Sequence, residues 1–355
     1  AYEIRPRDWS SDVCSSDLII LPLFLSCSTD NSYLEIPTSI QTSGNEITST
    51  LVTNLHEFGI TTPLKITKHG DLLAVERRYE ENNLSLIDLS NRTTRDWLPF
   101  GEGENEAYTI DNLSVNEQGE LSVFDFETGK LHRHNPKALS RSAAHPLMLA
   151  EGTNTHLSAI QGDGFVISTG LYEQGRYRFY SLDDGSESYA VPYPVHPAYP
   201  ELSDYGKSIL WASTVLRLRP DNKAFVCTDI RSGQLDICRI NGNTISLVCR
   251  HTYYYPHVDI NDGKYPDVAY YSDNVTGFRE VAVSNERIYV LYSGKTYKEY
   301  GQKIINSSTL LVFDWNGTLL NNYTLPEAAN YLAFDTEENL LYGTTPDAKL
   351  VQFNL

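Results

Sequence analysis

The sequence predicts an all-β protein: a six-bladed β-propeller with four-stranded antiparallel blades, whose ring is closed by an N-terminal strand. Three observations predict this fold. From about Leu64 onward, short alternating apolar runs are separated by Gly, Asn and Asp, as in successive strands and turns. Two local patterns recur six times each, and copies of the first lie about 53 residues apart on average. We find no helical pattern sustained over three turns. Such repeats are typical of propeller blades.

The two recurring patterns are assigned to different parts of a blade. The first pattern is an apolar, a variable and an apolar residue followed by a polar turn, which we interpret as a third strand with its exit turn. Its copies begin at Ile87, Phe124, Tyr180, Cys238, Phe313 and Val351. The second pattern is a turn followed by a strand, which we interpret as the connection between the first and second strands. Its copies begin at Gly70, Gly119, Gly162, Asp221, Asn285 and Glu338. Six paired copies predict six blades.

Closure of the ring requires one further strand. The last repeat ends at Leu355, directly after its third strand, and an open edge would expose unpaired backbone groups. Residues 47–55 or 33–40, which precede the first blade, could supply the missing strand. The alternative fold is a pair of β-sandwiches, although no linker or change of composition divides the chain.

The first residues do not belong to the propeller domain. Residues 1–18 match the in-frame translation of a short-read sequencing adapter joined to a truncated reading frame, so we exclude residues 1–17 from the fold. The propeller domain is then expected to span residues 33–355.

Residues 18–32 are predicted to be a truncated lipoprotein signal and its tether. An eight-residue apolar run is followed by Ser26 and Cys27, the arrangement at which a lipoprotein signal is cleaved before a lipidated cysteine. A lipid on Cys27 would hold the protein at the cell envelope, and Ser28 after it points to the outer membrane. The alternative is a buried strand interrupted by Pro22.

Composition and charge exclude several classes of function. Asp and Glu total 46 against 28 Lys and Arg, a formal charge of −18, which disfavours binding to nucleic acid. No apolar stretch approaches the roughly 20 residues that a membrane-spanning helix needs. Neither Gly-x-Ser-x-Gly nor a P-loop occurs, which disfavours an α/β-hydrolase or a nucleotide hydrolase.

Three cysteines remain within the predicted propeller: Cys227, Cys238 and Cys249. A hairpin with a four-residue turn at residues 231–234 would place Cys227 opposite Cys238, and a disulfide between them is then conceivable in an oxidising compartment. The interpretation we favour is three small buried apolar side chains. A zinc site would need closer ligand spacing, so no metal is expected.

One segment resembles a known family. Residues 63–106 hold the first predicted blade and end in Phe100-Gly101-Glu102-Gly103-Glu104-Asn105-Glu106. They resemble the TolB-like six-bladed propeller lipoproteins of Bacteroides-type bacteria, in which the first blade commonly ends in a glycine-rich Phe-Gly turn with a Pro-Glu. Here Asn105 stands near the place of that proline. The resemblance covers the layout of residues 27–355 and implies a fold and an envelope location, but no catalytic residues.

Two tyrosine-rich insertions are the candidate ligand-binding segments, because long loops build the binding surface of a propeller. They span residues 189–200 and 251–271; a third insertion spans residues 295–308. Tyrosines beside carboxylates suit a sugar, offering a flat apolar face and hydrogen-bond acceptors. The candidate ligand-binding residues are Tyr193, Tyr199, Tyr253, Tyr254, Tyr255, His257, Asp259, Tyr265 and Tyr270. The alternative, which we favour, is that the tyrosines pack the insertions onto the propeller.

These observations support three hypotheses of function. The first is a non-catalytic, lipid-anchored envelope module that binds an unidentified glycan or protein and needs no cofactor. In its single-site form, both tyrosine-rich insertions must lie at one end of the ring. The second is a metal-assisted hydrolase or lyase acting on sugars or lactones, which requires at least three Asp, Glu, Asn or His side chains from different blades to converge in the channel. The third is a structural partner in an envelope complex.

Overall fold

The computed structural model describes most of the propeller domain, in the ranges 34–36, 40–41, 43–77, 81–136, 146–149 and 155–355. The adapter-like residues 1–17, the predicted signal and tether at residues 18–32, and the predicted lipidation site Cys27 lie outside these ranges. The domain is mostly β, as predicted, and its longest described helix has seven residues. None of the described helices is long and apolar enough to cross a membrane.

Six blades of four antiparallel strands surround a central channel. The first strand of each blade contacts the first strands of both neighbouring blades, so these six strands form the innermost ring. Blade 1 consists of Ile66–His69, Leu72–Glu76, Asn82–Asp88 and Thr93–Pro99. Blade 2 consists of Ile110–Val115, Leu121–Asp125, Lys130–His134 and Leu147–Met148. Blade 3 consists of His156–Gly162, Phe165–Gly170, Tyr177–Ser181 and Glu187–Ala190.

The remaining blades follow the same order, and the chain's N-terminal segment completes the last one. Blade 4 consists of Thr214–Leu218, Ala224–Asp229, Gln234–Asn241 and Thr244–Thr252. Blade 5 consists of Phe278–Val283, Arg287–Tyr292, Ser307–Asp314 and Leu319–Ala329. Blade 6 consists of Tyr331–Asp335, Leu340–Thr344, Lys349–Asn354 and the N-terminal strand Thr48–Asn54. The predicted six-bladed fold is confirmed.

The N-terminal segment covers the outer edges of three consecutive blades. Thr48–Asn54 pairs antiparallel with Lys349–Asn354 and closes the ring, which confirms the first of the two predicted segments. The second segment has another role, since Leu34–Ile36 pairs parallel with the outer strand of blade 4. Asn45–Glu46 pairs in the same way with the outer strand of blade 5. Each of these two blades therefore has a fifth strand.

The second pattern, a turn followed by a strand, located the blades more accurately than the first pattern, a strand followed by its exit turn. All six copies of the second pattern lie between first and second strands, as predicted. One copy of the first pattern was assigned to the wrong strand, because Phe124 lies in the second strand of blade 2. The Asp125 carboxylate there accepts hydrogen bonds from the Glu127 amide and the Thr128 hydroxyl. Exit turns are built in the same way, as at Asp314 with Asn316, so the pattern reports an Asp-stabilised turn and not a strand number.

The core consists of apolar side chains between neighbouring blades, and buried ion pairs join the blades near it. Lys68 of blade 1, 2% exposed, pairs with Asp335 of blade 6 at 2.7 Å. Arg176 of blade 3 pairs with Asp236 of blade 4 at 2.9 Å. Such buried pairs fix the register between blades, since separating either partner leaves an uncompensated charge.

The predicted register around the cysteines is wrong. Phe225 faces Cys238 and Cys227 faces Asp236, because the last paired residues are Thr228 and Leu235 and the connection is two residues longer than expected. The Asp229 carboxylate stabilises the longer connection by accepting hydrogen bonds from the Arg231 amide and the Ser232 hydroxyl. Cys227, Cys238 and Cys249 are free and buried.

We expect these three thiols to be unreactive in the folded protein. Burial raises the pKa of Cys227 and of Cys249 to about 11, so little thiolate forms near neutral pH. A chain of residues 33–355 should therefore show no fast reaction with a thiol reagent in buffer and three reactive thiols in denaturant. A mass two hydrogens lower than that of the reduced chain, or fast labelling in buffer, would contradict the structure.

Candidate binding site

Three insertions lie at one end of the ring. The segment 191–213 leads into the first strand of blade 4, and the segment 253–277 leads into the first strand of blade 5. The segment 293–306 connects the second and third strands of blade 5. All three therefore lie at the end where the first strands begin, and the single-site form of the first hypothesis meets its requirement. We call the three segments together the platform.

A small apolar core joins the first two insertions. Its centre is Trp211, 2% exposed, whose Nε1 donates a hydrogen bond to the Pro194 carbonyl at 2.9 Å. Ser203 caps the N-terminus of the helix Asp204–Leu210. Its hydroxyl accepts a hydrogen bond from the Gly206 amide and donates one to the Asp262 carboxylate at 2.6 Å. Asp262 follows the hairpin strand Val258–Asn261, which pairs with Asp267–Tyr270. The buried side chains of this core are Tyr193, Leu202, Leu210, Trp211 and Val258.

Backbone hydrogen bonds join the third insertion to the second. The third insertion contains the short helices Tyr297–Tyr300 and Gly301–Ile305. The Lys298 amide donates to the Ser272 carbonyl at 2.8 Å, and the Thr276 amide donates to the Lys295 carbonyl at 2.8 Å. The platform is therefore one continuous body over blades 4 and 5.

Six of the nine predicted ligand-binding residues pack within or beneath the platform. The Tyr193, Tyr199 and Tyr270 hydroxyls donate to backbone carbonyls at 3.0, 3.0 and 2.9 Å. Tyr255 packs edge-on against His196, with ring centroids 5.4 Å apart. All six have buried or half-buried side chains: Tyr193, Tyr199, Tyr253, Tyr254, Tyr255 and Tyr270. They attach the insertions to the propeller, as the packing interpretation expects.

The other three predicted residues are exposed, and two of them belong to one cluster. The rings of His257 and Tyr271 stack with centroids 4.2 Å apart and an interplanar angle of 18°. His257 Nδ1 lies 2.7 Å from the Asp273 carboxylate, and the Tyr271 hydroxyl donates to Asp259. That hydrogen bond raises the pKa of Tyr271. We call His257, Asp259, Tyr271 and Asp273 the stacked cluster. Tyr265, the third exposed residue, lies at the tip of the hairpin.

The stacked cluster has the chemistry of a carbohydrate contact. It presents aromatic surface to solvent, since Tyr271 is 43% exposed and the His257 side chain is 60% exposed. Two carboxylates beside the rings can accept hydrogen bonds from hydroxyl groups. An apolar face with polar groups at its edge is the combination that orients a small polar ligand.

A second group of polar residues lies at the end of the channel that carries the platform. Lys65, Asp111, Arg279 and Tyr331 stand at or next to the start of the first strands of blades 1, 2, 5 and 6, which are neighbours around the ring. Asp111 and Arg279 occupy β-bulges, which take them out of the regular strand pairing. We call these four residues the channel ring. All four side chains retain partial exposure.

Charges within the channel ring are only partly compensated. Lys65 Nζ donates to the Ile110 carbonyl at 3.0 Å and lies 3.8 Å from the Glu76 carboxylate. Burial raises the pKa of Asp111, although the Lys65 charge opposes this. Burial also raises the pKa of Tyr331, against the Lys65 and Arg279 charges, so both cations lie near its hydroxyl.

The channel ring was not predicted, because the tyrosine-rich patterns pointed to the insertions. A signal was nevertheless present. Asp111 and Arg279 are charged residues at the second position of strands that lie directly before the turn pattern. Locating each first strand upstream of its turn would have brought these positions together.

The other end of the channel holds a cavity of about 650 Å³. First strands of all six blades and several of the turns that follow them line it. Arg217 on its wall is already paired with Glu280 at 2.7 Å. This cavity therefore lies on the face opposite the platform.

The metal-assisted hypothesis requires at least three acidic, amide or histidine side chains to converge. Within the described part of the chain, no group of three or more His, Cys, Asp and Glu side chains is arranged to hold a metal ion. The Glu280 carboxylate is engaged by Arg217, and Glu76 lies beside Lys65. Each of these two channel carboxylates therefore already has a side-chain cation beside it.

The fold and the platform define a class of protein: a six-bladed propeller with one elaborated face. A family model described as "TolB-like 6-blade propeller-like" matches residues 42–338. The chain belongs to this family, which confirms the family resemblance predicted from residues 63–106.

Solved structures show the same fold in distant proteins. A candidate exported protein of Bacteroides fragilis is 12% identical with a TM-score of 0.53, over 91% of this chain and 99% of that one. A gluconolactonase of Xanthomonas campestris is 14% identical with a TM-score of 0.50, over 88% of this chain and 95% of that one. At these identities the likeness concerns the fold alone. A search among curated proteins finds no match.

Proposed function

We propose that this TolB-like propeller is a non-catalytic binding module of the cell envelope, and that its platform binds a glycan or a protein. The observation that carries the proposal is the stacked cluster, His257 and Tyr271 with Asp259 and Asp273, exposed on the platform. The tyrosines packed beneath it hold the platform rigid, so little ordering entropy is lost when a ligand binds. A carbohydrate is the ligand that this surface suits best.

The location is part of the same proposal. A lipidated Cys27 would anchor the module to the outer membrane through its tether. The signal-like run before Cys27 and the shared fold with a candidate exported protein support an extracytoplasmic location.

A glycan-array screen of residues 33–355 tests the proposed ligand. We expect specific binding to a subset of glycans, and we expect Tyr271→Ala to weaken it at least tenfold, because the variant removes one ring of the stacked pair and the hydroxyl bound to Asp259. Affinities for the positive glycans would be measured by calorimetry.

Tyr205→Ala is the matched control. Tyr205 lies in the platform helix Asp204–Leu210, is 36% exposed and does not belong to the stacked cluster. It should bind as the unaltered protein does. Equal binding by Tyr271→Ala and the unaltered protein would reject the stacked cluster as the contact. Binding to no glycan would reject a carbohydrate, and a protein partner would then be sought by crosslinking at Tyr265.

A further inference from the structure

Arg279 is the cation of the channel ring that lacks a partner. Its Nε is buried without a hydrogen bond, and among the described residues no carboxylate lies within ion-pair distance of its guanidinium. The neighbouring Glu280 carboxylate instead pairs with Arg217 at 2.7 Å. Arg279 differs in this from the buried arginines 176 and 250, both of which pair with Asp236.

An uncompensated guanidinium in this position is energetically unfavourable. Burial lowers the pKa of Arg279, because removing a charge from water is costly. The bulge between Phe278 and Glu280 nevertheless holds the side chain at the start of its strand. A residue held against its own solvation preference is commonly functional, because a bound ligand can supply the missing partner.

The groups around Arg279 include charges of both signs. The Glu280 carboxylate acts on it, but Arg217 already pairs with that carboxylate at 2.7 Å. Tyr331 begins the first strand of blade 6, which contacts the strand that holds Arg279, and its hydroxyl can donate a further hydrogen bond. Arg231 adds a second positive charge that acts on Arg279. The Arg231 carbonyl accepts from Asn274 Nδ2 at 2.8 Å, and its guanidinium lies over the Tyr270 ring, so this arginine connects the channel ring to the platform.

We infer that Arg279 and Tyr331 bind a carboxylate group of a ligand at the end of the channel beneath the platform. The planar guanidinium matches a carboxylate in a two-point contact, and the tyrosine hydroxyl adds a third donor. The protein carries a formal charge of −18, which repels anionic ligands in general. A local cationic site therefore determines which anionic ligand can bind and where. The inference rests on the proposed platform face and defines its ligand as acidic: a sugar acid or a small organic acid.

Calorimetric titration of the full chain with D-glucuronate, succinate and D-glucose tests this inference. We expect glucuronate to bind and glucose to bind at least tenfold more weakly, because glucose lacks the carboxylate. Succinate binding as tightly as glucuronate would identify any small carboxylate as sufficient, whereas its failure would identify a sugar acid. Both results support the carboxylate site. Binding of neither acid, or equal binding of glucose, would overturn it.

Variants assign the binding to Arg279. Arg279→Gln should weaken glucuronate binding at least tenfold, and Tyr331→Phe should weaken it less. Arg239→Gln removes an exposed arginine from blade 4 and should bind as the unaltered protein does. Without ligand, Arg279→Gln should melt no lower than the unaltered protein, because it removes an unpaired charge. A lowered melting temperature or unchanged glucuronate binding in Arg279→Gln would contradict the inference.

The two proposals can fail separately. Tyr271→Ala tests the stacked cluster on the platform, whereas Arg279→Gln tests the channel beneath it. Loss of neutral-glycan binding in the first variant with retained glucuronate binding would leave the carboxylate site intact, and the reverse result would leave the platform site intact.

Discussion

Replacing Asp236 with asparagine is expected to lower the free energy of unfolding by about 3–5 kcal/mol, the usual cost of removing one partner from a buried ion network. Asp236 is fully buried and accepts hydrogen bonds from Arg176 at 2.9 Å, from Tyr177 at 2.7 Å and from Arg250 at 2.8 Å. Arg250 also donates to the Pro192 carbonyl. The carboxylate thus joins blade 3, blade 4 and the base of the platform, and asparagine would remove the negative charge that both buried guanidinium groups contact.

The effect of Asp236→Asn should depend on pH. Burial opposes ionisation of Asp236, but the charges of Arg250 and Arg176 outweigh it and lower the pKa to about 2, from an ordinary value of 3.8. A carboxylate with a lowered pKa stabilises the fold above its ordinary pKa, and that stabilisation is lost as the pH falls towards the folded value. The difference between variant and unaltered protein should therefore be full above about pH 4 and shrink below it.

Urea unfolding of residues 33–355 at pH 7 and at pH 3 measures both effects. Asp96→Asn is the control, because Asp96 is 46% exposed and pairs with Arg77 at 2.6 Å near the surface. Exposed pairs contribute about 1 kcal/mol or less. Equal losses in the two variants, or a loss in Asp236→Asn that grows as the pH falls, would contradict the account of the buried network.

A chain that begins at Leu55 is expected not to form a stable monomer. It lacks Thr48–Asn54, which pairs with Lys349–Asn354 along the outer edge of blade 6. Each lost backbone hydrogen bond costs about 1 kcal/mol, so the strand contributes several kcal/mol. The free edge would also recruit strands of other chains, which leads to aggregation.

Comparison with a chain that begins at Asn45 isolates the closing strand. That chain keeps Asn45–Glu46 and Thr48–Asn54 and should elute as a monomer and melt cooperatively. The chain from Leu55 should aggregate, and a synthetic peptide of residues 45–54 added during refolding should restore monomer. A Leu55 chain that is monomeric and melts within a few degrees of the longer chain would show that closure does not depend on this strand.

The turns were predictable because their chemistry is local. Gly119 and Asn222 have φ values of 79° and 62°, which glycine and asparagine tolerate better than other residues, and both lie in turns that the sequence identified. The same locality produced the error at Phe124, where an Asp-stabilised turn recurs between different strands. The register around Cys227 was predicted wrongly for a related reason. The connection is lengthened by hydrogen bonds from Arg231 and Ser232 to Asp229, and these form only once the turn has folded.

The sequence by itself determined the six-bladed propeller, its closure by a strand that precedes the first blade and its family, because alternating apolar residues and turn residues act over a few positions and repeat along the chain. It also placed His257 and Asp259 among the candidate ligand contacts. Only the tertiary structure decided that Tyr271 and Asp273 join them while six tyrosines pack beneath the platform. It alone assembled Lys65, Asp111, Arg279 and Tyr331 into one ring. These groups lie up to 266 residues apart in the chain, and ring closure, which no local pattern encodes, brings them together.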